Sequence, residues 1–188
     1  MTARIVAFAG SIRRESLNTK LVNIAAKGAR NAGAEVVDVK LADYSMPLYN
    51  EDIEKESGLP DNALKLKELF LNADGFLIAS PEYNSGYSAV LKNMIDWLSR
   101  PSSENEAMLA AFAGKKASIM SASPGGLGGL RGLYQLRSLL MNMNVHVHPT
   151  MQAVGGASGL FDDKGNITDT NKRDSILALG KQTVEMIG

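Results

Sequence analysis

Cysteine is absent from the 188 residues, which removes disulfide frameworks, thiolate nucleophiles, cysteine-ligated zinc and iron–sulfur clusters at once. Any redox chemistry therefore has to be carried by a bound cofactor. Charge of one sign is also lacking. Twenty Lys and Arg balance twenty Asp and Glu, so no long-range field draws the chain to nucleic acid or to an anionic membrane. Long hydrophobic runs are missing, and the first residues show none of the charged, apolar and small-residue regions of a signal peptide. The expectation is a cytoplasmic protein without a membrane span.

What is present is ordinary for a globular domain. At 45% hydrophobic and 21% charged residues, the composition lies far from disordered or fibrous chains. The length suits one domain, 1–188, with its own core.

Residues 4 to 9 (Arg-Ile-Val-Ala-Phe-Ala) are a short β-forming run that ends at Gly10, the pattern of a strand buried on both faces. Leu21, Ala25, Gly28, Ala29 and Ala32 then recur at helical spacing until Gly33. Glu35 to Leu41 reads as a partly alternating edge strand. Tyr44 to Gly58 lacks periodicity and predicts an irregular loop with at most one helical turn. Pro60 opens a helix carrying Ala63, Leu66, Leu69 and Phe70, and Gly75 to Ser80 is a third strand. From Tyr87, the positions Val90, Leu91, Met94, Ile95 and Leu98 predict a helix that Pro101 ends. Lys116 to Ser121 is a fourth strand. Leu130 to Met141 is a helix with a wide apolar face, as for contact beyond the parent sheet. Val145 to Val154 reads as the fifth strand, and Ile176, Gly180, Val184 and Ile187 mark a closing helix.

Strands alternating with helices predict a five-stranded parallel sheet covered on both faces, a three-layer α/β/α class, because right-handed crossovers must join parallel neighbours. The strand order expected at this size is 2-1-3-4-5. Its switch point lies between strands one and three, and a ligand is expected at their carboxyl ends. The loops after strands one, three and four should then carry the chemistry.

The loop after strand one, Gly10 to Thr19, offers hydroxyls, an amide, Arg13 and free N–H groups at a helix start, a set suited to a dianionic phosphate monoester. It equally suits an ordinary capped helix. It has neither the Gly-Lys-Ser/Thr of a P-loop nor G-x-G-x-x-G, so triphosphate and dinucleotide binding lose weight. In the loop after strand three, Ser80 to Ser88, Pro81 stiffens the exit and Gly86 permits an unusual turn. Backbone groups there could bond the edge of a flat heterocycle, with Tyr83 against its face; the bland alternative is a turn and a helix cap facing solvent. Ser121 to Gly129 offers bare backbone again, for close approach to a planar ligand or simply for loop flexibility. Phosphate at one loop and a planar ring between the other two describe a mononucleotide, and FMN fits better than a triphosphate.

The motifs Gly10-Ser11-x-Arg13-x-x-Ser16-x-Asn18, Pro81-Glu82-Tyr83-Asn84-Ser85, Leu91-Lys92-Asn93-x-Ile95-Asp96-Trp97 and Ser123-Pro124-Gly125-Gly126 resemble the NADPH-dependent FMN reductase family, and within it the quinone, chromate and azo-dye reductases. Met46-Pro47-Leu48 and Phe161 to Gly165 extend the likeness over nearly the whole chain. The resemblance implies a flavodoxin-like fold. It implies that Ser11, Arg13, Ser16 and Asn18 hold the FMN phosphate, that Pro81, Glu82, Tyr83, Asn84 and Ser85 line the isoalloxazine, and that Ser123, Gly125 and Gly126 flank its other edge. NADPH or NADH would serve as co-substrate for ping-pong hydride transfer at flavin N5 to a small-molecule acceptor such as a quinone, azo dye, chromate or free flavin. No catalytic side chain is needed. The resemblance also implies a homodimer or homotetramer, with Glu82, Arg100, Arg131 and Tyr134 as a polar network at the interface. Two alternatives stand beside it: an FMN electron carrier without reductase activity, and a flavin-free binding module.

His146 and His148 share one side of a strand, but no third ligand is near in sequence, so no metal site is expected. The nine methionines read as core and interface filler.

Overall fold

The computed structural model describes every residue from Met1 to Gly188. The chain begins β1 (Arg4–Ala9), α1 (Leu17–Asn31), β2 (Glu35–Lys40), α2 (Glu51–Ser57) and α3 (Asp61–Leu71). It continues β3 (Gly75–Ala79), α4 (Ala89–Leu98), β4 (Lys116–Ala122) and α5 (Leu130–Asn142). It closes with β5 (His146–Val147), β6 (Gln152–Val154) and α6 (Thr170–Ile187).

The strands run in the order β2-β1-β3-β4-β5, with β6 also on β4, and all pairings are parallel. The predicted order holds. Period-two alternation sends Val6, Phe8, Phe76 and Ile78 to one face and Ile5, Ala7, Leu77 and Ala79 to the other. The first face packs against α3, α4 and α5 through Leu66, Phe70, Leu91, Met94, Leu133 and Leu136. The second packs against α1 and α6 through Leu21, Val22, Ile176 and Leu179. Helices α1 and α6 cross with almost no space between them. A Cβ on Gly28 would sit 2.0 Å from the Leu177 carbonyl oxygen, and one on Gly180 would sit 1.9 Å from that of Ala25.

Two expectations are corrected. The segment read as an irregular loop holds α2, which buries no residue and so leaves no apolar period to detect. Its ends are written instead in local chemistry. The Asn50 side chain accepts from Asp52 N–H, and Gly58 closes the helix at φ 72°. The expected fifth strand is two short pieces against one neighbour: β5 pairs with the start of β4 at Lys116 and Ala117, and β6 with its end at Met120 to Ala122. Between them Pro149 has no N–H to give the ladder, and Thr150 N–H is spent on His148 Nδ1 at 3.1 Å. No helix is long and apolar enough to cross a membrane.

Candidate nucleotide site at the carboxyl edge

Three loops meet where the strand order reverses. The first, between β1 and α1, is anchored at Gly10. Its N–H donates to Ala79 O at 2.8 Å, and its carbonyl accepts from Ser88 Oγ at 2.6 Å. A Cβ on Gly10 would come within 2.9 Å of Leu91 Cβ, so this loop can seat on α4 only with a bare residue there. Beyond the anchor, Ser16 caps α1 by accepting from Thr19 N–H at 3.2 Å, and Ser11 Oγ accepts from Arg13 N–H at 3.3 Å. The N–H groups of Ser11, Ile12, Arg14, Glu15, Ser16, Leu17 and Asn18 have no protein acceptor. Ser16 and Asn18 are each only 3% exposed. A buried backbone donor is rarely left unpaired, so the N–H groups of Ser16 and Asn18 at this helix N-terminus, with the solvent-open ones of Ile12, Arg14 and Glu15 beside them, suit an anion.

Asn18 has a second task. Its amide donates to Ala122 O at 3.0 Å and accepts from Ala122 N–H at 2.9 Å, clamping the first turn of α1 to the end of β4. One amide hydrogen remains for a ligand.

The loop after β3 is a tight hairpin. Tyr83 and Gly86 exchange both backbone hydrogen bonds at 3.0 Å, and Asn84 (φ 50°) and Ser85 (φ 67°) occupy its two turn positions. Gly86 was expected to supply the unusual backbone; Asn84 and Ser85 do so instead. The hairpin consumes the backbone groups of Tyr83 and Gly86 and leaves the N–H groups of Glu82, Asn84 and Ser85 free. The Tyr83 ring is half exposed at 55%.

In the loop after β4 the glycines divide by role. Gly128 and Gly129 have positive φ and closely approach Val154 and Ser121, so the fold requires them. A Cβ on Gly126 would meet nothing within 4 Å, and one on Gly125 only its own loop's Ser123 Oγ at 3.7 Å. Packing within the chain makes no demand for glycine at either position, as fits a backbone that a ligand approaches. The N–H of Gly126 is also unpaired.

One cavity is lined by Ser11, Arg13, Ser16, Asn18, Pro81, Glu82, Tyr83 and Ser123 together, residues of all three loops. Asn84, Ser85, Gly125 and Gly126 belong to the same loops without lining it. A larger cavity of about 540 Å³ lies at the opposite end of the sheet, among Arg137, Met141 and His146. Orphaned donors, not size, make the carboxyl edge the candidate ligand site.

The residues expected to form one polar network are found in two. Glu82, with its side chain 9% exposed, reaches the start of α5, where Gly129 offers no side-chain cap. Its carboxylate accepts from Gly132 N–H at 2.9 Å and from Arg131 Nε at 3.1 Å. The Gly132 N–H, more than Arg131, holds the Glu82 carboxyl below the usual carboxylate range. Arg100 lies elsewhere, on Glu54 at 2.8 Å, with the Tyr49 hydroxyl donating to the same carboxylate at 2.7 Å. Tyr134 stands 60% exposed on α5.

Two motifs separated in sequence are one structure. Pro47 O accepts from Asn93 Nδ2 at 2.9 Å and from Trp97 Nε1 at 2.8 Å, while Tyr49 N–H donates to Asn93 Oδ1 at 2.7 Å. The stretch around Pro47 is thereby strapped to α4. The sequence shows both motifs without showing that they touch.

A doubly wound parallel sheet of this order, with three loops meeting at its switch point, is of the flavodoxin-like class. The profile of the family described as NADPH-dependent FMN reductase matches residues 3–158, and the chain belongs to that family. An NAD(P)H-dependent FMN reductase of Pseudomonas aeruginosa is 35% identical over 175 residues, which cover 92% of this chain and 89% of that protein. A quinone reductase of Escherichia coli K12 is 36% identical over 158 residues, covering 81% and 77%. Among solved structures, the flavoenzyme NAD(P)H:(acceptor) oxidoreductase FerB of Paracoccus denitrificans superposes with a TM-score of 0.82 at 26% identity, covering 99% and 97%.

Proposed function

We propose that the protein is an FMN-dependent NAD(P)H oxidoreductase that reduces quinones or similar small two-electron acceptors by a ping-pong sequence. The observation that carries this reading is the set of unpaired backbone N–H groups at the start of α1, facing two further loops with free N–H groups and open glycines. The relatives named above supply the reaction class.

Bound FMN would supply the hydride chemistry, taking it from NAD(P)H and passing it to the second substrate. The chain's own residues bind and orient. The N–H groups of residues 14–18, the Ser11 hydroxyl and the Arg13 guanidinium would hold the phosphate, assisted by the dipole of α1. The free N–H groups of Glu82, Asn84, Ser85 and Gly126 would meet the polar edges of the ring, and Tyr83 its surroundings. Glu82 fixes the loop after β3 to α5, so the two walls of the ring site keep their spacing. No side chain need transfer a proton.

The exposed Tyr134 and Met141 on α5 support assembly as a homodimer or homotetramer. Elution as a monomer at micromolar concentration would refute that part. The activity is tested by adding equimolar FMN, desalting, and recording the visible spectrum before and after NADPH without oxygen. Retained yellow that bleaches is expected. Retained yellow that persists would mean an electron carrier, and colourless protein a flavin-free module.

A further inference from the structure

The cavity of about 540 Å³ at the far end of the sheet lies between the last turns of α5 and the edge strand β5. Its surroundings are set by a gap in the sequence. No acidic residue occurs between Glu106 and Asp162, whereas Lys115, Lys116, Arg131, Arg137 and both histidines fall there. Arg131 finds Glu82, and Lys115 finds the carbonyls of Leu71 and Ala73, but Arg137 has no carboxylate partner. It lines the cavity and donates only through Nη1, to Pro149 O at 3.2 Å, which leaves the N–H groups of Nε and Nη2 free as a fork. A main-chain donor stands beside it. His146 and His148 N–H donate to Lys115 O and Ala117 O at 2.8 Å, so alternation turns the N–H of Val147, between them, away from β4 and toward the open edge. The negative end of α5 is partly neutralised, because Leu140 O accepts from Met143 and Val145 N–H and Met141 O from Asn144 N–H.

We propose that this cavity binds a small carboxylate with an apolar body, of the aromatic or branched aliphatic kind. The Arg137 fork and Val147 N–H hold the carboxylate, and the body lies on Met141, Val145 and Val147. Two carboxylate oxygens match a guanidinium and one main-chain N–H, whereas a phosphate brings more acceptors than this wall can satisfy. The site shares no residue with the nucleotide cradle, so it stands whether or not the reductase reading does.

The test titrates isotope-labelled, FMN-loaded protein with benzoate, benzamide and inorganic phosphate, followed by heteronuclear NMR. Benzoate should bind with a Kd of about 1 mM, as suits so small a ligand. It should move the amide resonances of Gly114, Asn144 and Val147 and leave those of Ser11 to Asn18 and of Gly126 in place. Benzamide has the same shape without the charge and should bind about tenfold more weakly, the size of one charge-assisted contact. Arg137→Gln should lose about tenfold for benzoate and nothing for benzamide, whereas Met141→Ser should weaken both alike. Arg137→Gln gives up one bond to the exposed Pro149, so its melt should stay near wild type; the Met141 variant, altered at an exposed side chain, decides the matter if it does not. Shifts confined to the carboxyl-edge loops, equal affinity for benzamide, or benzoate binding undiminished in Arg137→Gln would each overturn the proposal. So would phosphate binding as tight as benzoate, which would mean a general anion patch. The absence of any shift at about 20 mM benzoate, as when a second protomer closes over Met141, would overturn it too.

Discussion

Removing the Glu82 carboxylate should loosen the nucleotide site and the start of α5 together. Its hydrogen bond from Gly132 N–H replaces the side-chain cap that Gly129 cannot provide. A charge-assisted bond of this kind contributes about 1.5–3 kcal/mol. The pairing with Arg131, whose side chain is 61% exposed, adds roughly 0–1 kcal/mol. Glu82→Ala should therefore cost roughly 2–4 kcal/mol, which lowers Tm by about 4–16 °C in a domain of this size. Glu82→Gln keeps an acceptor without the charge and should lose about half as much. The pH dependence gives a second reading. Because the folded-state carboxyl is held below its ordinary value, the stabilisation is complete above the unfolded pKa of about 4.3 and is lost as pH falls through the folded value. Melts followed by circular dichroism should show a constant gap between wild type and Glu82→Gln from neutral pH down to about pH 5.5, closing below about pH 4. FMN retention after desalting should fall in Glu82→Ala and survive largely in Glu82→Gln. A Glu82→Ala melt indistinguishable from wild type at pH 7, or a gap that persists undiminished in acid, would refute the capping role.

Gly180→Ala reverses a familiar sign: alanine in a helix ordinarily gains about 1 kcal/mol over glycine, but here its Cβ would meet the Ala25 carbonyl, so a loss of several degrees in Tm is expected, and any gain would show that α1 and α6 separate easily. Arg13→Ala should release FMN on desalting without changing the melt of the apoprotein, whereas Asn18→Asp should lower the apoprotein melt itself by setting a carboxylate against Ala122 O; equal flavin content in Arg13→Ala and wild type would remove Arg13 from the cradle. Lys67 is buried on Glu106 and the Arg100 carbonyl, so Lys67→Met should cost about 3–5 kcal/mol in urea unfolding and the double change with Glu106→Leu should recover most of it; a single variant as stable as wild type would show that the pair is solvated.

The sheet order was legible because its signal is repeated: five separate β-forming runs, each followed by a helical pattern, admit few right-handed arrangements. The two misread stretches carry no such repetition. Helix α2 buries nothing, so only Asn50 and Gly58 could have announced it. The broken edge strand had one signal, Pro149 in the middle of an otherwise continuous run, and a proline that cannot join a ladder was reason enough to divide it.

The candidate site's loops were legible in the sequence, and one cavity brings part of the expected set together, but the side chains' structural roles were not legible. The sequence shows which side chains stand near the loops but not what else they hold, and the polar ones have second employment. Ser16 caps α1, Asn18 clamps β4, and Glu82 caps α5. The donors left over for a ligand are mostly main-chain N–H groups, which belong to no residue type. It follows that loss of flavin on substituting Asn18 or Glu82 would report on loop geometry as much as on contact. Arg13 is different. Its exposed side chain makes no bond within the chain, so flavin lost from Arg13→Ala with an unchanged apoprotein melt can be assigned to the ligand itself.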